Sequence, residues 1–319
     1  MKRKAIKIVL IALLSLILAI AILHIVLYIT GWHRFRVADG VLYLYQGYTR
    51  DVTIPGNVTV IGHSAFAGNR TVRTVYIPYG VTTIDTNAFI DCVSLETINI
   101  PNSVTYIGWR AFAYCRSLTS VYIPDSVTII RVRAFAHCTS LASVRLSENL
   151  TAIEHGTFWN NAFEYIRIPD SVTEIGTGAF GGNNALRTVY IGSGLEKLCY
   201  SVFLDSDYLT AIHVDERNPN FTSIDGVLFK RADLVDGSVN IDRNLIDDSF
   251  NEDTKILFIY PAGREDTFFA IPNNVVGIYF TALRNARFLR ELYIPSSVVD
   301  FRAVTWLENL TYFRGDSSP

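Results

Sequence analysis

Charge, cysteine and catalytic motifs are all scarce in this chain. Asp, Glu, Lys and Arg make up 18% of its 319 residues and leave a net charge of −2, which excludes a strongly basic nucleic-acid binder. No phosphate loop, nucleophile elbow or paired-histidine metal motif occurs. The six histidines, His24, His33, His63, His137, His155 and His213, are scattered, and His137 reads as an exposed turn residue. Nothing points to an enzyme, and no catalytic, cofactor-binding or metal-ligating residue can be named. Of the four cysteines, Cys92, Cys115 and Cys138 lie 23 residues apart, a spacing that matches no zinc site and demands no disulfide framework. Cys199 reads as a lone buried thiol. Seven acids between residues 232 and 255 (Asp233, Asp236, Asp242, Asp247, Asp248, Glu252 and Asp253) lack the spacing of a calcium loop and read as a solvated loop.

What the chain has in abundance is a 23-residue beat. Pro55, Pro78, Pro101 and Pro124 keep it, Ser147 extends it, Pro169 follows after 22, and Gly192 returns to 23. Phe66, Phe89, Phe112, Phe135, Phe158, Phe180 and Phe203 mark the same rhythm. A fixed period of this length signals a solenoid. Two apolar columns alternate with polar ones as strands do. The first runs Val75, Ile98, Val121, Val144, Ile166, Val189, Ile212; the second runs Ile77, Ile100, Ile123, Leu146, Ile168, Ile191, Val214. They predict a parallel sheet with one strand per coil. The slot three residues after each Phe holds Cys92, Cys115 and Cys138, or Asn69, Asn161, Asn183 and Ser206. A small side chain bonding or packing inside a turn fits all of these.

Before the repeats, residues 8–29 are apolar except for Ser15 and His24. As a helix this run spans about 33 Å, enough for the roughly 30 Å core of a bilayer. Ala19-Ile20-Ala21 loosely resembles a signal cleavage site, but the apolar run continues beyond it, so an uncleaved anchor is expected. Lys2, Arg3, Lys4 and Lys7 precede the run and favour a cytoplasmic N-terminus with an extracellular C-terminal domain. Residues 1–36 carry six cations and no acid; the 22 cations beyond them face 30 acids, a net charge of −8. That argues against nucleic acid or an anionic lipid surface as partner of the outer part.

The unit Leu-x-x-Val/Ile-x-Ile-Pro, with Val-Thr-x-Ile and Ala-Phe-x-x-Cys, resembles the BspA-like leucine-rich repeat family. Residues 55–214 match it in seven coils, residues 272–294 form a degraded eighth, and residues 295–314 form a partial one. Asp39-Gly40-Val41-Leu42 and Asp225-Gly226-Val227-Leu228 each open an expected β-hairpin. The resemblance implies a cell-surface or secreted protein used in adhesion or protein binding. The expected organisation is a basic segment (1–7), a transmembrane helix (8–29), a linker with a capping hairpin (30–54), seven repeats (55–214), a hairpin with an acidic insertion (215–271), and degraded repeats with a tail (272–319).

Outward positions of the strand face read Tyr76, Asn99, Tyr122, Arg145, Arg167, Tyr190 and His213, with Tyr165 beside them. Tyr and Arg most often anchor interfaces, so Tyr122, Arg145, Tyr165, Arg167 and Tyr190 form the expected ligand patch. Tyrosine is also simply favoured on strands. The leading expectation is a membrane-anchored extracellular binder of protein or glycan, with no cofactor and no nucleic-acid partner. The alternatives are a self-associating envelope scaffold and, least favoured, a secreted enzyme with its site in 232–255.

Overall fold

The computed structural model describes residues 13, 15–23, 34–199, 201–232, 253–299, 304 and 310–315. Over these the chain is a β-solenoid of about ten turns. Most coils start at a proline whose carbonyl accepts the N–H three residues on, as in Val104 to Pro101 at 3.0 Å and Val127 to Pro124 at 3.0 Å; Ser147 does the same for Leu150 at 3.2 Å. The chain then makes a two-residue strand, turns through Ala-Phe-x-x-Cys, and returns through a strand of three or four residues.

The returning strands are those the apolar columns predict. Thr74–Tyr76 pairs in parallel with Thr97–Asn99, and Tyr165–Ile168 with Thr188–Ile191 and then Ala211–Val214. Their inward columns are buried, apart from half-buried Val144 and Val214. The expectation of one strand per coil was incomplete. A second parallel ladder of two-residue strands, such as Thr83–Ile84, Tyr106–Ile107 and Ile129–Ile130, runs along another side. Ser and Thr side chains just before it bind the preceding coil: Ser103 Oγ donates to the Val81 carbonyl and Ser126 Oγ to that of Val104, both at 2.7 Å.

The turn side is held by a third set of bonds. The N–H of Phe89 donates to the carbonyl of Ala111 at 2.7 Å, and Phe112 likewise to Ala134 at 2.7 Å. Behind them the phenylalanine rings stack in one column. Centroids are 4.7 Å apart for Phe66 and Phe89, 5.2 Å for Phe89 and Phe112, and 5.0 Å for Phe112 and Phe135. Tyr45 of the first hairpin covers the open end of the column at 4.8 Å from Phe66.

The slot after each phenylalanine does what its composition predicts, and the structure supplies the acceptor. Cys92, Cys115 and Cys138 donate Sγ–H to the carbonyls of Phe66, Phe89 and Phe112 at 3.1, 3.2 and 3.1 Å. Asn183 Nδ2 and Ser206 Oγ serve the carbonyls of Phe158 and Phe180, each at 3.0 Å. All four cysteines are free; Cys199 is half-buried rather than buried as expected. Burial pushes the thiols of Cys92 and Cys138 up to about 12, and raises that of Cys115 well above its ordinary value.

The 22-residue coil is a fault in the stack. Both strand ladders are interrupted between the coils starting at Pro124 and Ser147, whereas at the other break, between Thr97–Asn99 and Ser120–Tyr122, only the longer-strand ladder is interrupted. Phe163 takes the place of the usual leucine and meets Phe158 edge-on at 5.9 Å. Asn161, in the cysteine slot, is buried with neither amide atom bonded.

The two Asp-Gly sequences make matching turns. Asp39 and Gly40 have φ of 51° and 77°, and Asp225 and Gly226 have 50° and 77°. Left-handed φ at both central residues is the type I′ hairpin, for which Asp-Gly is suited. The first joins Phe35–Ala38 to Val41–Tyr45, the second Phe221–Ile224 to Val227–Arg231. The two hairpins also lead into similar coils. Tyr45 N–H donates to Ala65, and Tyr260 N–H to Ala282. Phe268–Ala270, Glu291–Pro295 and Thr311–Gly315 then form a parallel ladder. Ser297 Oγ donates to Val275 at 2.8 Å, as its counterparts do in earlier coils. The second hairpin seats on the seventh coil through Ile212 N–H to the Gly226 carbonyl at 2.9 Å.

Of the apolar run 8–29, residues 15–23 are helical and exposed. No described helix is long and apolar enough to cross a membrane; most of the remaining run, and all of segment 1–7, lie outside the described residues. The same holds for residues 233–252 of the acidic insertion.

The cysteine slot yields two predictions. Asn161→Cys replaces an orphaned amide with the donor used in neighbouring coils, and should raise the unfolding free energy by about 1 kcal/mol, read from urea midpoints. Cys92, Cys115 and Cys138 should resist iodoacetamide until the protein unfolds. Between the ordinary thiol value of 9.0 and about 12 only the unfolded chain ionises them, so stability should fall as pH rises through that window.

Candidate functional site

Paired strand backbones hold the outward residues in rows. Tyr122 lies opposite Arg145, and Arg167 opposite Tyr190, which in turn lies opposite His213. The structure therefore brings the five expected residues into two groups, divided by the interruption at the 22-residue coil. Tyr165 stands two positions along the same strand from Arg167, opposite Thr188. Tyr122, Tyr165 and Tyr190 are 57%, 63% and 47% exposed.

Arg145 is less free than its sequence position suggests. It grips Asp125 with two bonds of 2.5 and 3.0 Å, donates to the Ile123 carbonyl at 3.1 Å, and lies 4.9 Å from the Tyr122 ring centroid. The bond from Arg145 holds the Asp125 carboxyl below its usual range. The result is a Tyr122 ring topped by a fixed cation. Asn99 is not available to a ligand in this form. Its amide turns back to the Ile77 backbone, accepting from the N–H at 2.7 Å and donating to the carbonyl at 3.1 Å.

The second group borders a depression of about 270 Å³ lined by Arg167, Asp170, Tyr190, Gly192, His213 and Asp215. Tyr190 and His213 stack at 5.1 Å, and Arg167 reaches Glu148 at 2.9 Å. One rim is a clamp that sequence reading missed. Arg217 bridges Asp215 at 2.9 Å and Asp170 at 3.0 Å. Its hydrogen bonds pull the Asp215 carboxyl down to about 2. Arg217 sits outside the repeats, so no column marked it. His213 did stand in the outward column; only its stacking on Tyr190 shows that it belongs. Among the described residues no group of three or more His, Cys, Asp or Glu could hold a metal ion.

Such a row of outward aromatic and cationic side chains has the composition of an interface. The repeats themselves decide the lineage: six copies of the BspA-type leucine-rich repeat region match residues 42–127 and 105–235. The chain belongs to that family. Among solved structures it is similar to a leucine-rich cell surface protein of Faecalibacterium prausnitzii, with 27% identity and a TM-score of 0.53 over 83% of this chain and 69% of that one. Its fold is also similar to that of the pneumococcal vaccine antigen PcpA, at 19% identity and a TM-score of 0.51, covering 88% of this chain and 67% of that one. A leucine-rich repeat protein of Eubacterium ventriosum shares the fold at 20% identity and a TM-score of 0.52, covering 83% and 64%. No curated protein sequence matches the chain.

The clamp makes a direct prediction for this leucine-rich repeat protein. In a carbon-detected NMR titration the Asp215 carboxyl should stay ionised down to about pH 2, and Arg217→Ala should return it to the ordinary carboxylate range. An unshifted Asp215 in the unaltered protein would remove the clamp.

Proposed function

We propose that the chain is a surface protein, anchored by the helix expected over residues 8–29, whose strand face binds an extracellular protein or glycan. The observation that carries this reading is the row Arg167, Tyr190 and His213, held opposite one another by backbone pairing and opening on a depression. Rigid aromatic side chains lose little conformational freedom on binding, and fixed ion pairs present their remaining donors in set directions. A surface location is supported by the family and by the similarity to a protein described as a leucine-rich cell surface protein. The anchor is supported by the length and apolarity of residues 8–29 and by the cations that precede them.

The test uses the full-length chain in lipid nanodiscs, offered to an array of extracellular proteins and glycans. Arg167→Glu and Tyr190→Ala should each weaken the ligand found by at least tenfold, about 1.4 kcal/mol, with the melting temperature unchanged. Equal affinities for all variants would remove the strand face. Binding to other copies of the chain alone would favour the scaffold reading instead. External protease added to intact cells should release the solenoid; protection from it would overturn the anchored topology.

A further inference from the structure

The turn face of the third to fifth coils has a different charge pattern from the strand face. Arg110 and Arg133 occupy one column, in adjoining coils whose core rings are 5.0 Å apart. Both are in the left-handed region, with φ of 51° and 56°, where later coils have Gly156 and Gly178. Tyr114 and His137 occupy a second left-handed column at φ of 65° and 61°, where Gly68 and Gly182 stand elsewhere. Bulky side chains are rare in this conformation, and like charges in neighbouring coils repel. The stack places both burdens at one spot.

The geometry there is fixed. The Arg110 guanidinium lies 4.2 Å from the Trp109 ring centroid. The stem of Arg133 crosses Gly156, where a Cβ would come within 3.2 Å of it, and its Nη2 lies 3.5 Å from His155 Nε2. His137 is half-buried, not exposed as its sequence position suggested. It stacks on Tyr114 at 4.6 Å, and its Nδ1 accepts from Asn160 Nδ2 at 3.1 Å. Burial first, then the charges of Arg133, Arg116 and Arg110, holds its pKa below the usual range. Arg110 and Arg133 share the neighbouring column, and Arg116 follows two residues after Tyr114, whose ring covers this imidazole.

These cations lack ionic partners. None of Arg110, Arg116 and Arg133 makes an ion pair among the described residues. The nearby acids are mostly engaged. Glu154 is bound by Arg131 at 2.5 Å and by the Val132 N–H at 2.7 Å. The Asp85 carboxylate accepts from the Thr86 N–H at 2.6 Å. Asp91 stands one coil before Tyr114 in the same column.

We propose that this turn face binds a polyanionic polysaccharide, one bearing sulfate or phosphate esters, laid along the stack against Arg110, Arg116 and Arg133. Nucleic acid fits less well. Single strands need a series of open rings on which to stack bases. Here Trp109 is only 38% exposed and carries Arg110, and Tyr114 is already stacked on His137.

The test passes the full-length chain in detergent over immobilised heparin, for sulfate esters, and immobilised teichoic acid, for phosphate esters. Retention on either supports the proposal if it depends on these arginines. The triple variant Arg110→Asn, Arg133→Gly, Arg116→Thr uses residues that stand in the same columns as Asn87, Gly156 and Thr139. It should bind at least tenfold more weakly, and log affinity should fall less steeply with log salt, since fewer counterions are released. Arg116→Thr alone, outside the left-handed positions, should lower both measures. Equal binding of the triple variant and the unaltered chain would assign retention to the cations of residues 1–36 and overturn the proposal. Equal retention on single-stranded DNA would overturn it as well. Arg167→Glu and Tyr190→Ala should leave this binding unchanged, so it stands or falls separately from the strand-face reading.

Discussion

The contact between a phenylalanine ring and the ring of the next coil sets everything else in this molecule. A single coil has one large apolar group and no second layer to cover it, so it can bury that ring only against a copy of itself. Rings 4.7 to 5.5 Å apart between Phe66 and Phe158 put successive backbones near the 4.8 Å separation at which parallel strands hydrogen-bond. The same spacing lets the two strand ladders and the bonded turn side close together. Where it widens, to 6.2 Å between Phe180 and Phe203, the regular coils are ending and the second hairpin takes over.

Because burial decides only the inward columns, the outward ones are free to carry function. This is why the sequence revealed the core and only half revealed the site. The 23-residue beat, the phenylalanines and the Val/Ile columns are legible because each answers directly to burial. The second ladder is not: Thr83–Ile84 is too short to alternate visibly. The acceptors of the cysteine slot are backbone carbonyls 26 residues earlier, and a carbonyl has no letter in a sequence. Arg145 pairs with Asp125, 20 residues back, three short of the period, so no column comparison finds it. Nor does a column show that Asn99 has folded onto the Ile77 backbone. His137 misled for a similar reason: its ring is covered by Tyr114 from the coil before, a contact that exists only once coils are stacked.

The fault at the 22-residue coil shows how much the stack tolerates. Deleting one residue shifts the leucine column, and Phe163 fills the space with a larger ring turned edge-on to Phe158. The penalty falls on Asn161 and on both ladders, yet the turn-side bonds continue across the join, as in Phe135 to Thr157 at 2.9 Å. A solenoid with three bonded sides can lose two locally and keep its axis. The fault also separates Tyr122 and Arg145 from Arg167 and Tyr190, so the strand face presents two adjoining patches and not one continuous row.

The two outer faces treat their charges in opposite ways. On the strand face each arginine of the candidate site is matched: Arg145 with Asp125, Arg167 with Glu148, Arg217 with Asp170 and Asp215. Exposed pairs of this kind add little stability; what they do is fix direction and keep the local charge near neutral, so the recognition proposed there would rest on shape and aromatic area. On the turn face Arg110, Arg116 and Arg133 make no ion pair among the described residues, so the attraction proposed there would be long-ranged and screened by salt. A net acidic chain can hold both because charge averages over the whole sequence while ligands meet only one face. Ionic strength should therefore separate the two surfaces. Binding at the strand face should change little as salt rises past the point where the Debye length falls to about 8 Å, and binding at the turn face should decline steeply through it.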